Sequence, residues 1–181
     1  MERIGVRLKP FVLLLLFPLL LLGKEVKYEV FYGFFPAGEI KIVFEPQEVV
    51  VKGKSSGLLG LFYKYRLYMV YNLRDPQRSF MEERENGKER RYDYWKILKK
   101  KPWLPLVIKL LLTHRGFTPN HPIKVDGLEI IPKKVEGYDY TFEVKGSKRV
   151  KRIELYGWKE GEFPRRIVVE GSAGTLVLVR D

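Results

Sequence analysis

Cysteine is absent from the 181 residues, and histidine occurs twice, as His114 and His121. Without cysteine there are no disulfides, and no lipid can be attached to a cysteine behind an apolar leader. Zinc would need three or four ligands from His, Cys or carboxylate, and two histidines do not supply them. His121 lies between Pro119 and Pro122, while His114 is read as the C-terminal residue of a helix, well placed against its dipole. No serine sits in a G-x-S-x-G elbow. Gly53-Lys54-Ser55 resembles the end of a phosphate loop, but Glu48 occupies the position that requires glycine. No internal repeat, low-complexity tail or linker divides the chain, and no apolar run approaches the ~20 residues that a spanning helix needs.

What is present begins with a leader. Arg3, Arg7 and Lys9 precede the apolar run Phe11–Leu22, which Pro18 interrupts, and Gly23 and Lys24-Glu25 follow. A basic start, a short apolar stretch and a small residue at its end describe an export signal over residues 1–23. Leu21 is not small, so an uncleaved anchor is the alternative. The remaining 24–181 fit one domain able to bury a core. Of 34 basic and 22 acidic side chains the leader carries three and one, so the formal charge of +12 becomes +10 without it. Such a surface attracts anionic partners. Export argues against nucleic acid and for the periplasm or cell envelope, with membrane-surface contact possible. High Lys, Glu and Arg without cysteine is also a composition of heat-adapted proteins.

Period-two alternation dominates the rest. In Lys24–Tyr32, whose C-terminal part opens the hairpin Tyr28–Phe44, Val26, Tyr28, Val30 and Tyr32 share a face and are answered by Ile40, Ile42 and Phe44 in Glu39–Glu45, with Gly33 and Gly38 bracketing the reversal around Pro36. Gln47–Lys52 is a third strand, ended by Gly53–Gly57, and Leu58–Leu61 is an apolar connector. In Phe62–Leu73 one face holds Tyr63, Tyr65, Leu67, Met69, Tyr71 and Leu73. Asn86-Gly87 marks a hairpin between two charged strands, Ser79–Glu85 and Arg90–Lys96, read as mostly facing water. The period then changes. Leu106–His114, with Pro105 before it and Gly116 after it, predicts one helix of about ten residues lying on or plugging the sheet, with a buried strand as the alternative. Phe117–Pro122 is a loop. Strands resume at Ile123–Val125, Leu128–Lys134, Tyr138–Lys145, Val150–Trp158, Phe163–Glu170 and Thr175–Arg180. The expectation is a mostly β protein: an antiparallel meander of about ten strands with one short helix, forming an open barrel or sandwich.

Tyr28-x-Val30-x-Tyr32-Gly33, Ala37-Gly38-Glu39-Ile40, Ser55-Ser56-Gly57-Leu58, Arg91-Tyr92-Asp93-Tyr94 and Phe163-Pro164-Arg165-Arg166 leading to Gly174-Thr175-Leu176 follow one another in an order that resembles domain-of-unknown-function family 3108, a family of exported bacterial proteins. The Lys- and Leu-rich stretch Lys99–Leu112 departs from that family's pattern. The resemblance implies an exported β-rich domain and brings no activity or catalytic residues. At fold level the chain is also similar to the half-barrel carriers that shuttle lipoproteins across the bacterial periplasm.

The carboxylates Glu82 and Glu83 face opposite sides of a strand, and Asp139 and Glu143 share a polar face with Thr141 and Lys145. Neither pair suggests acid–base chemistry. Aromatics make up 14% of the chain and line cores and apolar pockets alike. The candidate ligand-lining residues are Tyr63, Tyr65, Leu67, Met69, Tyr71, Leu106, Leu110, Tyr140 and Phe142, with Lys99, Lys100 and Lys101 meeting an anionic headgroup. No cofactor, metal or catalytic residue is assigned. The expectation is a non-enzymatic envelope protein that binds a lipid, another amphiphile or an envelope partner. The rivals are a scaffold and a cell-wall hydrolase or transferase.

Overall fold

A computed structural model describes residues 23–113 and 121–181. Residues 1–22 of the leader, and His114, lie outside the described residues. Twelve strands form one antiparallel sheet: β1 (Glu25–Tyr32), β2 (Phe35–Phe44), β3 (Glu48–Ser55), β4 (Tyr65–Asn72), β5 (Phe80–Glu85), β6 (Lys88–Asp93), β7 (Ile123–Val125), β8 (Leu128–Glu136), β9 (Asp139–Lys145), β10 (Val150–Tyr156), β11 (Arg166–Gly171) and β12 (Gly174–Arg180). The spatial order runs from β6 down to β1, crosses to β12, and continues down to β7. The first and last strands therefore pair at the centre, Tyr28 opposite Arg180 and Tyr32 opposite Leu176. β6 and β7 are free edges, and the sheet is an open one.

The chain between those edges carries two helices, α2 (Tyr94–Lys100) and α3 (Trp103–Leu112). The third helix of the described residues, α1 (Gly57–Phe62), links β3 to β4. Seven of the ten residues of α3 are buried, Leu104–Ile108, Leu110 and Leu111. A helix apolar almost all round must lie inside the fold. It joins a single core with Ile42, Met69 and Met81 from one half of the sheet and Ile130, Phe142 and Ile153 from the other. The sheet thus wraps its inner face around the helical hairpin.

Several sequence expectations shift. The helix expected over Leu106–His114 is α3, starting earlier at Trp103. Pro105 is tolerated there because a first-turn residue has no intrahelical acceptor to lose. Lys99 and Lys100 belong to a separate helix, α2, whose N-cap Asp93 accepts from Lys96 N–H at 2.8 Å and ends β6 sooner than expected. Leu58–Leu61 is helical rather than an irregular connector. β3 runs on through Gly53 to Ser55. The charged hairpin faces water mostly as expected, with Met81, Glu83 and Tyr92 alone buried on its inner side. Its Asn86-Gly87 turn has positive φ at both residues (47° and 85°), the primed geometry that suits strand twist.

The opening hairpin turns at Gly33-Phe34 alone, with Tyr32 opposite Phe35. Gly38 is no turn residue. It sits in β2 where a Cβ would lie 2.1 Å from the carbonyl oxygen of Lys54 on β3. Gly38→Ala should therefore cost more than about 2 kcal/mol in urea unfolding, because backbone must move. At Gly53, also in strand, a Cβ would meet its nearest neighbour at 3.6 Å, and Gly53→Ala should change stability far less.

Candidate functional site

The helical hairpin covers only part of the inner face. Where α2 gives way to α3, the sheet is left open over a cavity of about 430 Å³. Its walls come from both halves of the sheet: Val30, Ile40 and Leu67 on one side, Val150, Val169 and Leu176 on the other. Tyr63, Tyr65, Leu59 and Trp103 complete a largely apolar lining. This size and composition suit a small-molecule site.

Five of the sequence candidates meet here: Tyr63, Tyr65, Leu67, Lys100 and Lys101. The others do not. Met69, Tyr71, Leu106, Leu110, Tyr140 and Phe142 are all buried in the closed core. Lys99, exposed on α2, is not among the cavity residues. Alternation identifies the inner face of each strand, but not how much of it a helix covers.

The cavity wall is braced by a buried carboxylate that sequence reasoning missed. Glu83, 5% exposed, accepts hydrogen bonds from Tyr65 OH at 2.6 Å and Tyr92 OH at 2.8 Å. Lys101 Nζ lies 2.9 Å from it and 5.5 Å from the centre of the Tyr65 ring. Beside it, Tyr63 stacks on Tyr65 with centroids 6.3 Å apart and donates to Glu85 at 2.6 Å. Burial pushes the Glu83 carboxyl up, but the hydrogen bonds from Tyr65, Lys101 and Tyr92 outweigh it and the net shift is downward. Burial and the Glu83 hydrogen bond raise the Tyr65 phenol, and the hydrogen bond to Glu85 raises Tyr63 to about 12. Both phenols therefore stay protonated as donors. Lys101, which with Pro102 joins the two helices, is in this way fixed to the sheet. The period-two pairing of Glu83 with Met81 was the available signal.

At the cavity mouth the cations differ in how they are used. Lys54 is paired with Glu39 at 2.9 Å and Lys101 with Glu83. Lys100 and Arg149 also line the cavity, and neither has an ion pair among the described residues. Ser55 shapes the same rim: its Oγ donates to Tyr63 C=O at 2.7 Å and accepts from Tyr65 N–H at 2.9 Å, closing the loop that holds α1. The Gly53-Lys54-Ser55 stretch thus has a structural use.

A larger hollow of about 870 Å³ lies on the outer face of the sheet, lined by Lys27, Lys41, Lys52, Arg66, Glu82 and Arg91 among others. Much of its wall is ion-paired and solvated, with Lys41–Glu25 at 2.6 Å and Arg91 bonded to Glu82. It lacks the apolar enclosure of the inner cavity. Among the described residues there is no group of three or more His, Cys, Asp or Glu able to hold a metal, and no helix is long and apolar enough to cross a membrane.

The Glu83 geometry has a pH signature. Its folded pKa lies below the unfolded value of about 4.3, so its contribution to stability is present above that value and is lost as pH falls through the folded one. Urea unfolding between about pH 6 and pH 3 should show stability falling with acid, with a shallower slope in Glu83→Gln. The same variant should lose about 2 kcal/mol at neutral pH, since three charge-assisted hydrogen bonds are weakened.

No protein-family model matches the chain. A solved structure, the hypothetical protein CT021 from Chlamydia trachomatis, superposes with a TM-score of 0.42 and 11% identity over 90% of this chain and 88% of that one. An uncharacterised protein of Aquifex aeolicus (strain VF5) is 32% identical over 173 residues, 96% of this chain and 95% of its own. At that identity and coverage, the chain belongs to the same family as this uncharacterised Aquifex protein.

Proposed function

We propose that the protein is a non-enzymatic binding protein of the cell envelope. It holds one amphiphile, with the acyl or other apolar part in the inner cavity and an anionic head at Lys100 and Arg149. One observation carries this reading: an apolar cavity of about 430 Å³ ends at two cations that have no ion pair among the described residues. Burying an acyl chain gains about 0.8 kcal/mol per methylene. An anionic head at the mouth would neutralise charges that the fold leaves uncompensated. The leader read over residues 1–23 supports a periplasmic or envelope location. The motif order supports membership of domain-of-unknown-function family 3108, and the wrapped sheet is in keeping with a carrier resembling the lipoprotein-shuttling half-barrels.

Native mass spectrometry of protein purified from a Gram-negative host tests the binding directly. The expected spectrum shows one copurifying amphiphile, or saturable uptake of one long-chain fatty acid after delipidation. Val30→Trp, which fills the cavity from its half-buried wall, should abolish uptake. Lys100→Glu with Arg149→Glu should weaken an anionic ligand by about tenfold, the equivalent of about 1.4 kcal/mol. A folded protein that is empty and takes up no amphiphile would end this reading.

A further inference from the structure

An antiparallel meander places its connections alternately at two ends, and here the ends differ. The Gly33-Phe34 turn, α1, the Asn86-Gly87 turn, and the turns over 146–149 and 172–173 gather at the end where the cavity opens. Two of them carry large apolar side chains into solvent: Phe34 is 99% exposed, Phe35 77%, Leu58 79%, Leu61 71% and Phe62 86%. No residue of α1 is buried, although its loop is pinned by Ser55. Exposed apolar residues gathered in this way mark an interaction site.

The charges on the connections at this end are mostly positive. Its connections contribute Lys64, Lys148 and Arg149 against Asp126 alone, and Lys100 stands at the cavity mouth. The nearby acids on the strands, Glu39, Glu85 and Glu89, are each within 4 Å of a basic partner, Lys54, Arg90 and Arg84. At the opposite end the connections 45–47, 73–79 and 157–165 balance Arg74, Arg78, Lys159 and Arg165 against Glu45, Asp75, Glu160 and Glu162.

We infer that the cavity end seats on the surface of an anionic lipid bilayer. Phe34, Phe35, Leu61 and Phe62 enter the boundary between headgroups and acyl chains, and Lys64, Lys148 and Arg149 lie against acidic headgroups. Apolar wedges ringed by cations match that interface in both polarity and charge. The docking surface goes beyond the cavity reading and does not depend on it, although it would put the cavity mouth against the source of an amphiphile.

Vesicle flotation tests the inference on the protein as its host leaves the N terminus, so that every variant shares the same leader. The protein should float with vesicles of phosphatidylcholine mixed with phosphatidylglycerol, and less so as salt is raised. The variant combining Phe34→Ser, Phe35→Ser, Leu61→Ser and Phe62→Ser should bind at least about tenfold more weakly, as should Lys64→Glu with Lys148→Glu and Arg149→Glu. All these side chains are exposed or in turns, and circular dichroism checks that the fold is kept. Trp95→Ser, an exposed aromatic on α2, should bind as the parent does. Val30→Trp should also float normally even though its cavity is filled, which separates docking from ligand uptake. No flotation with the anionic vesicles, or equal flotation of the patch variants and the parent, overturns the inference. So does a vesicle-free dimer that the serine variant dissociates, because a second copy would then be the occupant.

Discussion

The structure depends on the pairing of its first strand with its last. β1 and β12 meet at the centre of the sheet, so each half of the chain is a six-strand meander running outward to a free edge. The covalent link between the edges must then cross the open side. It carries the most apolar helix, α3, and burying seven of its residues closes the core across both halves. Without α3 the inner faces of both meanders would be exposed to water. Each large side chain it buries contributes about 1.5–3 kcal/mol.

The same arrangement creates the cavity. A two-helix plug shorter than the sheet cannot cover the whole inner face, and what remains open lies at the junction between the helices. Lys101 sits at that junction, held by Glu83 together with Tyr65 and Tyr92. A buried ion pair is weak evidence for stability, because desolvation opposes it. Its position is more telling: it fixes the end of the plug, and so the boundary between filled core and open cavity.

Much of this was legible in local sequence. Alternation placed the strands and their inner faces, Asn86-Gly87 and Asp126-Gly127 marked primed turns, and the apolar run after Pro105 marked a helix. What was misread has specific causes. Gly38 looked like a turn residue because a glycine needed for close backbone approach has the same letter as one needed for positive φ. α1 and α2 are too short to show a helical period. Tyr63, Tyr65 and Leu67 line one cavity with Lys100 and Lys101. Met69, Tyr71, Tyr140 and Phe142 obey the same alternation, yet they are buried in the closed core rather than lining the cavity. Arg149, Val169 and Leu176 reach the cavity only through the long-range β1–β12 pairing, which no local pattern encodes.

Trp103 stands on the cavity wall, and its fluorescence gives the most direct test. The measurement is titration with an anionic fatty acid brominated along its chain, in the parent protein and in Trp103→Phe. A chain held in the cavity predicts saturable quenching in the parent that is largely lost in the variant, where Trp95 and Trp158 remain. No saturable quenching, or equal quenching in both proteins, would contradict occupation of this cavity.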